Sequence, residues 1–474
     1  MTRKDKIFLS FTSLTSIGLF SFVFWLGFPG YFQAGDIYNS LSVTTDNWHP
    51  VIIARVIQGL YFLFGRHSHY LFAINIACFF LGLLFYVDGL YIKTRSLLTY
   101  ALFSLTFIGN IFFQNFVEYH SFTFPMLFWF GCSMLFFQIF VDIKKRYISL
   151  ILQGSTFVVF FFALLWRHNA IISIFPLGIL FIYRYLKDKY KETTPSILSI
   201  RFLKLFTLSG IVMIAIVVII PFLLSSKMST RTTNHIFLHQ IAGMVVPAND
   251  DSFIPQDWYA GNKDFQDVKD MYHEHPTFAD PFNVGWEPFG DDTPFKKRDL
   301  TGLKIIWLKG IFTYPGNYLN HISRFISEMW YQEPGWILNS SQIQKSPQHP
   351  SHIKIASKFS KNERYIKFSP FQREIYRFLY SNRIVFNQVI GISVGIILLV
   401  ITSLIWFTKP RLHSERLLFP LIVSFSSFCT SIGVTIFSPS TDPRYMSPVF
   451  VISLISLIGF ISWLLIHREV EFYS

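Results

Sequence analysis

Long unbroken runs of apolar residues constrain this chain more than any other feature. A helix that crosses a bilayer needs about 20 consecutive, mostly apolar residues, because hydrocarbon offers its backbone groups no partner outside the helix itself. Ten such runs occur, at approximately 7–28, 70–92, 97–114, 122–141, 148–166, 170–186, 203–224, 386–407, 416–437 and 447–466. Their apolar residues fill the blocks instead of recurring as the one-sided stripes of soluble amphipathic helices. Hydrophobic residues make up 51% of the 474 positions, Phe alone numbers 56, and charged residues reach only 15%, too few to cover a soluble surface. The expected fold is an all-α polytopic membrane protein of about ten transmembrane helices.

The first block follows Thr-Arg-Lys-Asp-Lys but is about twice as long as a signal-peptide core and is followed by no small-x-small cleavage site. It is therefore expected to be an uncleaved span. Cys78, Cys132 and Cys429 each sit inside an apolar block, where they serve as small packing residues and carry no disulfide information. The net charge of +13 is explained by basic loops held against anionic lipid, so no nucleic-acid partner is expected.

Charge also predicts sidedness. With the N-terminus inside, the inner segments and their immediate flanks hold 18 Lys or Arg, against four in the short outer turns (Arg55, Arg66, Arg167 and Arg444). That asymmetry places both termini in the cytoplasm. It depends on 148–166 and 170–186 forming a tight hairpin across Arg167-His168-Asn169; a single broken helix there would invert everything downstream. Three regions follow. Residues 1–224 form an N-terminal transmembrane module of about seven spans, with an interfacial helix near 49–65 that is apolar but too short to cross. Residues 225–385 form a mainly helical extracytoplasmic domain, and 386–474 a C-terminal module of about three spans. In the domain, Tyr318, Ile322, Phe325, Ile326 and Met329 share one helical face that is expected to pack on the spans.

The candidate chemistry gathers in the outer segments. Asp36, Asp46 and His49 lie in the first loop, close to the interfacial helix. A solvated loop carboxylate is the plain account of Asp36. Partial desolvation at the membrane surface would instead raise its pKa and suit it to general-base work. His49 either orients a phosphate or merely opens the interfacial helix. The short second loop carries Glu118 and His120 at a membrane boundary, where ionisable groups usually have partners. Glu118 and Asp36 could form a carboxylate pair and, with His120, hold a divalent cation, although no spacing here is that of a dedicated metal motif. Arg167-His168-Asn169 and Asp442-Pro443-Arg444-Tyr445 occupy two more outer turns. Each arginine alone could simply snorkel; together they could neutralise a phosphate or diphosphate at headgroup depth. Nucleotide-cradling, CxxC and HExxH motifs are absent from the sequence.

These features together resemble the GT-C glycosyltransferases, integral membrane enzymes that use polyprenyl-phosphate-linked sugars. The resemblance rests on Asp36 just after the first span, the interfacial helix opening with Trp48-His49-Pro50, acidic Glu118 in a short second loop, the large extracytoplasmic segment and a late Arg-Tyr-x-x-Pro from Arg444 to Pro448. It implies a GT-C-like fold, a polyprenyl-phosphate-sugar donor, a glycan or lipid acceptor, and Asp36 as catalytic base. Many members carry an adjacent acidic pair in the first loop, whereas here Asp46 stands ten residues on, which keeps Asp46 and Glu118 as contenders. His49, His120, Arg167, His168, Asn169, Arg444 and Tyr445 are the expected substrate-binding set. The expected enzyme is an inverting transferase with its site on the periplasmic side of a bacterial inner membrane. An O-antigen-type polymerase or ligase, or a lipid or solute transporter, is the alternative.

Overall fold

A computed structural model describes residues 3–28, 41–43, 50–95, 99, 119–141, 143, 145–167, 169–190, 197, 199–224, 234–282, 293–296, 300–331, 350–360, 368–383, 387–409 and 412–473. In chain order the helices are α1 (Arg3–Gly27), α2 (Val51–Phe64), α3 (Tyr70–Thr94), α4 (Tyr119–Phe140), α5 (Arg146–Trp166), α6 (Ala170–Ile174), α7 (Gly178–Tyr190), α8 (Ile200–Leu224) and α9 (Asn234–Ala248). They continue as α10 (Phe265–Glu274), α11 (Leu303–Thr313), α12 (Pro315–Tyr331), α13 (Pro350–Ala356), α14 (Pro370–Ser381), α15 (Gln388–Thr408), α16 (Glu415–Phe437) and α17 (Ser447–Tyr473). Among the described residues no strand forms, and only two isolated β-bridges occur.

Nine of these helical stretches are long and apolar enough to cross a membrane. The chain is a multi-pass helical membrane protein. The tenth predicted span, 97–114, falls outside the described residues except for Thr99.

Contacts between spans fix their directions. Phe8 stacks on Tyr91, Thr12 donates to Asp88 at 3.0 Å and Phe24 lies against Phe72, so α1 and α3 are antiparallel. Trp129 Nε1 donates to the Phe79 carbonyl at 3.1 Å, while Gly89 faces Phe136 and Phe137, so α3 and α4 run parallel. The chain therefore leaves α3 at one pole and enters α4 at the other. Phe157 and Phe160 both meet Phe181, which shows that α5 and α7 form the expected hairpin and not one broken helix. A 3-10 turn at Phe175–Leu177 joins α6 to α7, where Pro176 removes a backbone donor.

Two poles result. The opposite ends of α4, α7, α16 and α17 converge at one pole, where an ion pair also ties Asp5 at the start of α1 to Arg95 after α3. These are the segments that the charge count placed together on the inner side. Arg167, the start of α3 and the ends of α1, α8 and α16 lie at the other.

At the Arg167 pole, helices outside the spans satisfy the carbonyls that each span leaves without a partner in its last turn. Ser369 and Gln372 form a capping box that starts α14, and Gln372 Nε2 also donates to the Trp25 carbonyl at 3.0 Å at the end of α1. Fully buried Tyr376 adds a bond to the Leu26 carbonyl at 3.4 Å. Arg55 of α2 donates from Nη2 and Nε to the Leu224 carbonyl, at 2.8 and 3.2 Å, closing α8. Helix α2 buries Val51, Ile53, Ala54 and Ile57 and leaves Phe62, Leu63 and Phe64 exposed, the pattern of a helix lying along the bilayer surface.

Helices α9–α12 have their own core, in which Met244, Trp258, Val268, Tyr272 and Phe282 are buried. Of the predicted α12 stripe, Phe325 and Met329 pack on Ile392, Val434, Met446 and Val449 of the bundle, whereas Tyr318 packs into the α9–α12 core instead.

The directions give a labelling test. In a variant lacking the three native cysteines, Lys189→Cys and Lys409→Cys should react with a membrane-impermeant maleimide from one side only, and Leu319→Cys from the other. Labelling of all three from a single side would contradict the arrangement.

Candidate functional site

Two of the predicted outer turns meet. Trp166 ends α5, and Arg167 takes an extended conformation (φ −148°, ψ 136°) before Asn169 caps α6. The chain reverses there because α6 is anchored sideways on α16. Ser173 Oγ and Thr430 Oγ1 share a 2.8 Å hydrogen bond, and Ser426 Oγ donates to the Ser173 carbonyl at 2.5 Å. Gly433 supplies the close approach, since a Cβ there would lie 2.5 Å from Ile172 Cδ1. The Arg167-pole end of α16 then leads into the 3-10 turn Pro443–Met446 ahead of α17, in which the Tyr445 N–H bonds to the Asp442 carbonyl at 3.1 Å.

This places the Arg167 guanidinium carbon 5.3 Å from the centre of the Tyr445 ring. Arg167 is only 8% exposed. A guanidinium over an aromatic face is attracted by the ring, and its fork of N–H donors suits bidentate recognition of a phosphate.

The turn after α16 is pinned from above by α12. Glu328 accepts hydrogen bonds from Thr277 Oγ1 at 2.6 Å and from Thr441 Oγ1 at 3.3 Å. The Ala279 N–H bonds to the Pro439 carbonyl at 2.7 Å, Gln240 Nε2 to the Ile436 carbonyl at 2.5 Å, and Trp330 Nε1 to Thr435 Oγ1 at 3.1 Å. Glu328, Thr277 and Thr441 were not singled out from sequence. No local motif marks them, because they come from α12, the segment after α10 and the turn after α16, and meet only through tertiary packing.

The structure thus brings Arg167 and Tyr445 together, with Asn169 beginning the neighbouring helix. Asp36, Asp46, His49, Glu118 and His168 lie outside the described residues. His120 falls in the first turn of α4 and Arg444 in the Pro443–Met446 turn, and the side chains of both lie outside what is described. Among the described residues no group of three or more His, Cys, Asp or Glu is arranged to hold a metal ion. The cation set of Asp36, Glu118 and His120 is not among them.

A second polar cluster, also unforeseen, lies within α9–α12. His239 Nε2 is 2.9 Å from the His275 carbonyl, and its ring meets the His321 ring edge-on at 4.9 Å. His321 Nδ1 is 3.0 Å from the Tyr272 hydroxyl. Gly243 admits the His321 ring, because a Cβ there would lie 2.6 Å from His321 Cγ. Burial, reinforced by the Arg324 charge, lowers the His321 pKa to about 3. Burial alone lowers His235 to about 4, although Asp280 stands 3.7 Å from its Nε2. His239 is held well below the ordinary range by burial and then by His321. All three are neutral at physiological pH.

Comparison of the chain with protein-family models, with curated proteins and with solved structures yields no match in any of the three.

The histidines set a pH dependence. Unfolded histidine titrates near 6.5, above the folded values, so acid favours the unfolded chain. Stability from this cluster is full above about pH 6.5 and is lost as pH falls toward the folded pKa values of about 4 and 3. At pH 5 the loss should be about 2 kcal/mol for each of His235 and His321. Thermal unfolding followed by tryptophan fluorescence at pH 7.5 and 5 checks this, and His321→Leu should shrink the difference. Equal stability at the two pH values would refute it.

Proposed function

We propose that this protein is a membrane glycosyltransferase that takes a sugar from a polyprenyl-phosphate donor and passes it to a glycan or lipid acceptor at the Arg167 pole. The observation that carries the proposal is the buried Arg167 guanidinium on the Tyr445 ring, a cation built into the end of the bundle from two turns far apart in sequence. The first loop supports it. Phe28 at the end of α1 contacts His69 before α3, and α2 caps α8, so the two described ends of this loop share the Arg167 pole. The resemblance to GT-C enzymes supplies the reaction class.

In this reading Asp36 takes the proton of an acceptor hydroxyl. The acceptor oxygen attacks the anomeric carbon as the bond from that carbon to the phosphate oxygen breaks, with inversion. Lipid phosphate departs as the anion, and Arg167, with Arg444, stabilises the charge developing on it. Tyr445 positions Arg167, and helices α9–α12 flank the space where an acceptor would bind. The donor is lipid-borne in this reading, as the resemblance to polyprenyl-phosphate-dependent enzymes implies. The divalent cation stays part of the proposal only through Asp36, Glu118 and His120. The proposed setting is a bacterial inner membrane with this pole facing the periplasm.

Transfer of radiolabelled sugar from polyprenyl-phosphate donors in membranes tests the proposal. Asp36→Asn should abolish transfer at normal expression, and Arg167→Lys should lower kcat by about 100-fold, the usual scale for removing one donor to a transition-state anion. Full activity in Asp36→Asn would remove Asp36 as base. Failure with every monophosphate donor, together with polymerisation of diphosphate-linked oligosaccharides, would replace the transferase with a polymerase.

A further inference from the structure

The pole opposite Arg167 carries a cleft of about 670 Å³ between the ends of α4, α5, α7, α16 and α17. Its chemistry is cationic. Arg184, Lys187 and Arg416 line it against Asp188 and Glu415, three cations to two carboxylates. Glu415 is held by two of them at once, with Lys187 Nζ at 2.9 Å and Arg184 Nε at 3.4 Å. Arg184 and Glu415 are mostly buried, at 17% and 15% side-chain exposure, whereas Lys187 is 42% exposed and faces the opening.

One carboxylate does not exhaust these donors. A guanidinium carries five N–H groups and an ammonium three. Beside its ion pair with Glu415, Arg184 donates from Nη1 to Gln138 Oε1 at 3.5 Å among the described residues. The site is also rigid. Gln138 is itself fixed by its bond to Thr156 Oγ1 at 2.8 Å, and the His413 ring stacks on Trp406 with centroids 4.1 Å apart. Trp463 and Ile466 add an apolar wall beside the charges. Basic pockets between spans at the membrane boundary take phospholipid headgroups, with the phosphate on the cations and the first methylenes on the apolar side.

We propose that this cleft binds a phosphate group, carried by an anionic lipid or by a small soluble phosphate, with Arg184 and Lys187 as its anchors and Glu415 as the internal anion that it competes with. The site is remote from Arg167 and does not depend on the glycosyltransferase reading.

The test is a binding measurement that needs no turnover. Purified full-length protein in a neutral detergent is titrated with phosphatidylglycerol, with phosphatidylcholine or with inorganic phosphate, and the melting temperature is followed. Phosphatidylglycerol or inorganic phosphate should raise it saturably, and phosphatidylcholine should not. Lys187→Gln should weaken the apparent affinity about tenfold, the worth of one charge-assisted hydrogen bond. Glu415→Gln should tighten it several-fold, a gain that a misfolded variant cannot imitate. A response to phosphatidylglycerol alone assigns a lipid headgroup, and a response to inorganic phosphate assigns the soluble ligand. No saturable shift with either probe, or unchanged affinity in both variants, would overturn the proposal.

Discussion

Every span that ends at the Arg167 pole faces the same problem: the last turn of a helix has carbonyls with no intrahelical donor, and a membrane boundary supplies water unevenly. This protein meets it with side chains from helices outside the spans. Gln372 and Tyr376 close α1, Arg55 closes α8 and Gln240 closes α16. The seating of α2, α9 and α14 therefore follows from the backbone of the bundle beneath them. Arg55 does this twice over, since a cation at a helix C-terminus also meets the negative end of the helix dipole.

Beneath those caps, α16 is the element that ties the halves of the bundle together. Lipid gives helices little hydrophobic reason to associate, so close approach and buried hydroxyl pairs take that role. Ser424 pairs with Ser456, Ser427 with Ser453, and Thr430 with Ser173. Gly395 permits the α15 contact, where a Cβ would lie 2.7 Å from Ser453 Oγ. The Arg167-pole end of α16 continues into the turn that carries Tyr445 and that Glu328 holds through Thr441. Helices α9–α12, the Arg167 turn and the C-terminal spans therefore share one support.

Much of this was legible in the sequence for simple physical reasons. Spans announce themselves by length and apolarity, and basic residues mark the ends that share a side, which is why the hairpin across Arg167 and the grouping of 142–147, 187–202 and 408–415 could be predicted. Arg167 and Tyr445 could be placed on the same pole but not in contact, because that contact depends on how α6 lies across α16. The hydroxyl seam was hidden for a related reason: Ser and Thr in an apolar block look the same whether they face lipid, their own i−4 carbonyl or a neighbouring helix. His239 and His321 were hidden because their meeting requires Gly243, and a glycine in an apolar helix gives no sign of what approaches it.

The distribution of charge within the described spans bears on what such a bundle can do. A transport path needs ionisable or hydrated groups along its length, usually with helices broken near the midplane. Here Ser424 and Ser456, Ser427 and Ser453, and Thr430, all buried in the C-terminal spans, are hydroxyls paired with one another or with carbonyls. Asp88, the acid set farthest into a described span, accepts from Thr12 and stands near the pole that holds Asp5 and Arg95. Ionisable side chains otherwise concentrate at the two ends, with Arg167 at one and the Arg184–Glu415–Lys187 group at the other. Among the described spans, ionisable chemistry therefore sits at the two poles.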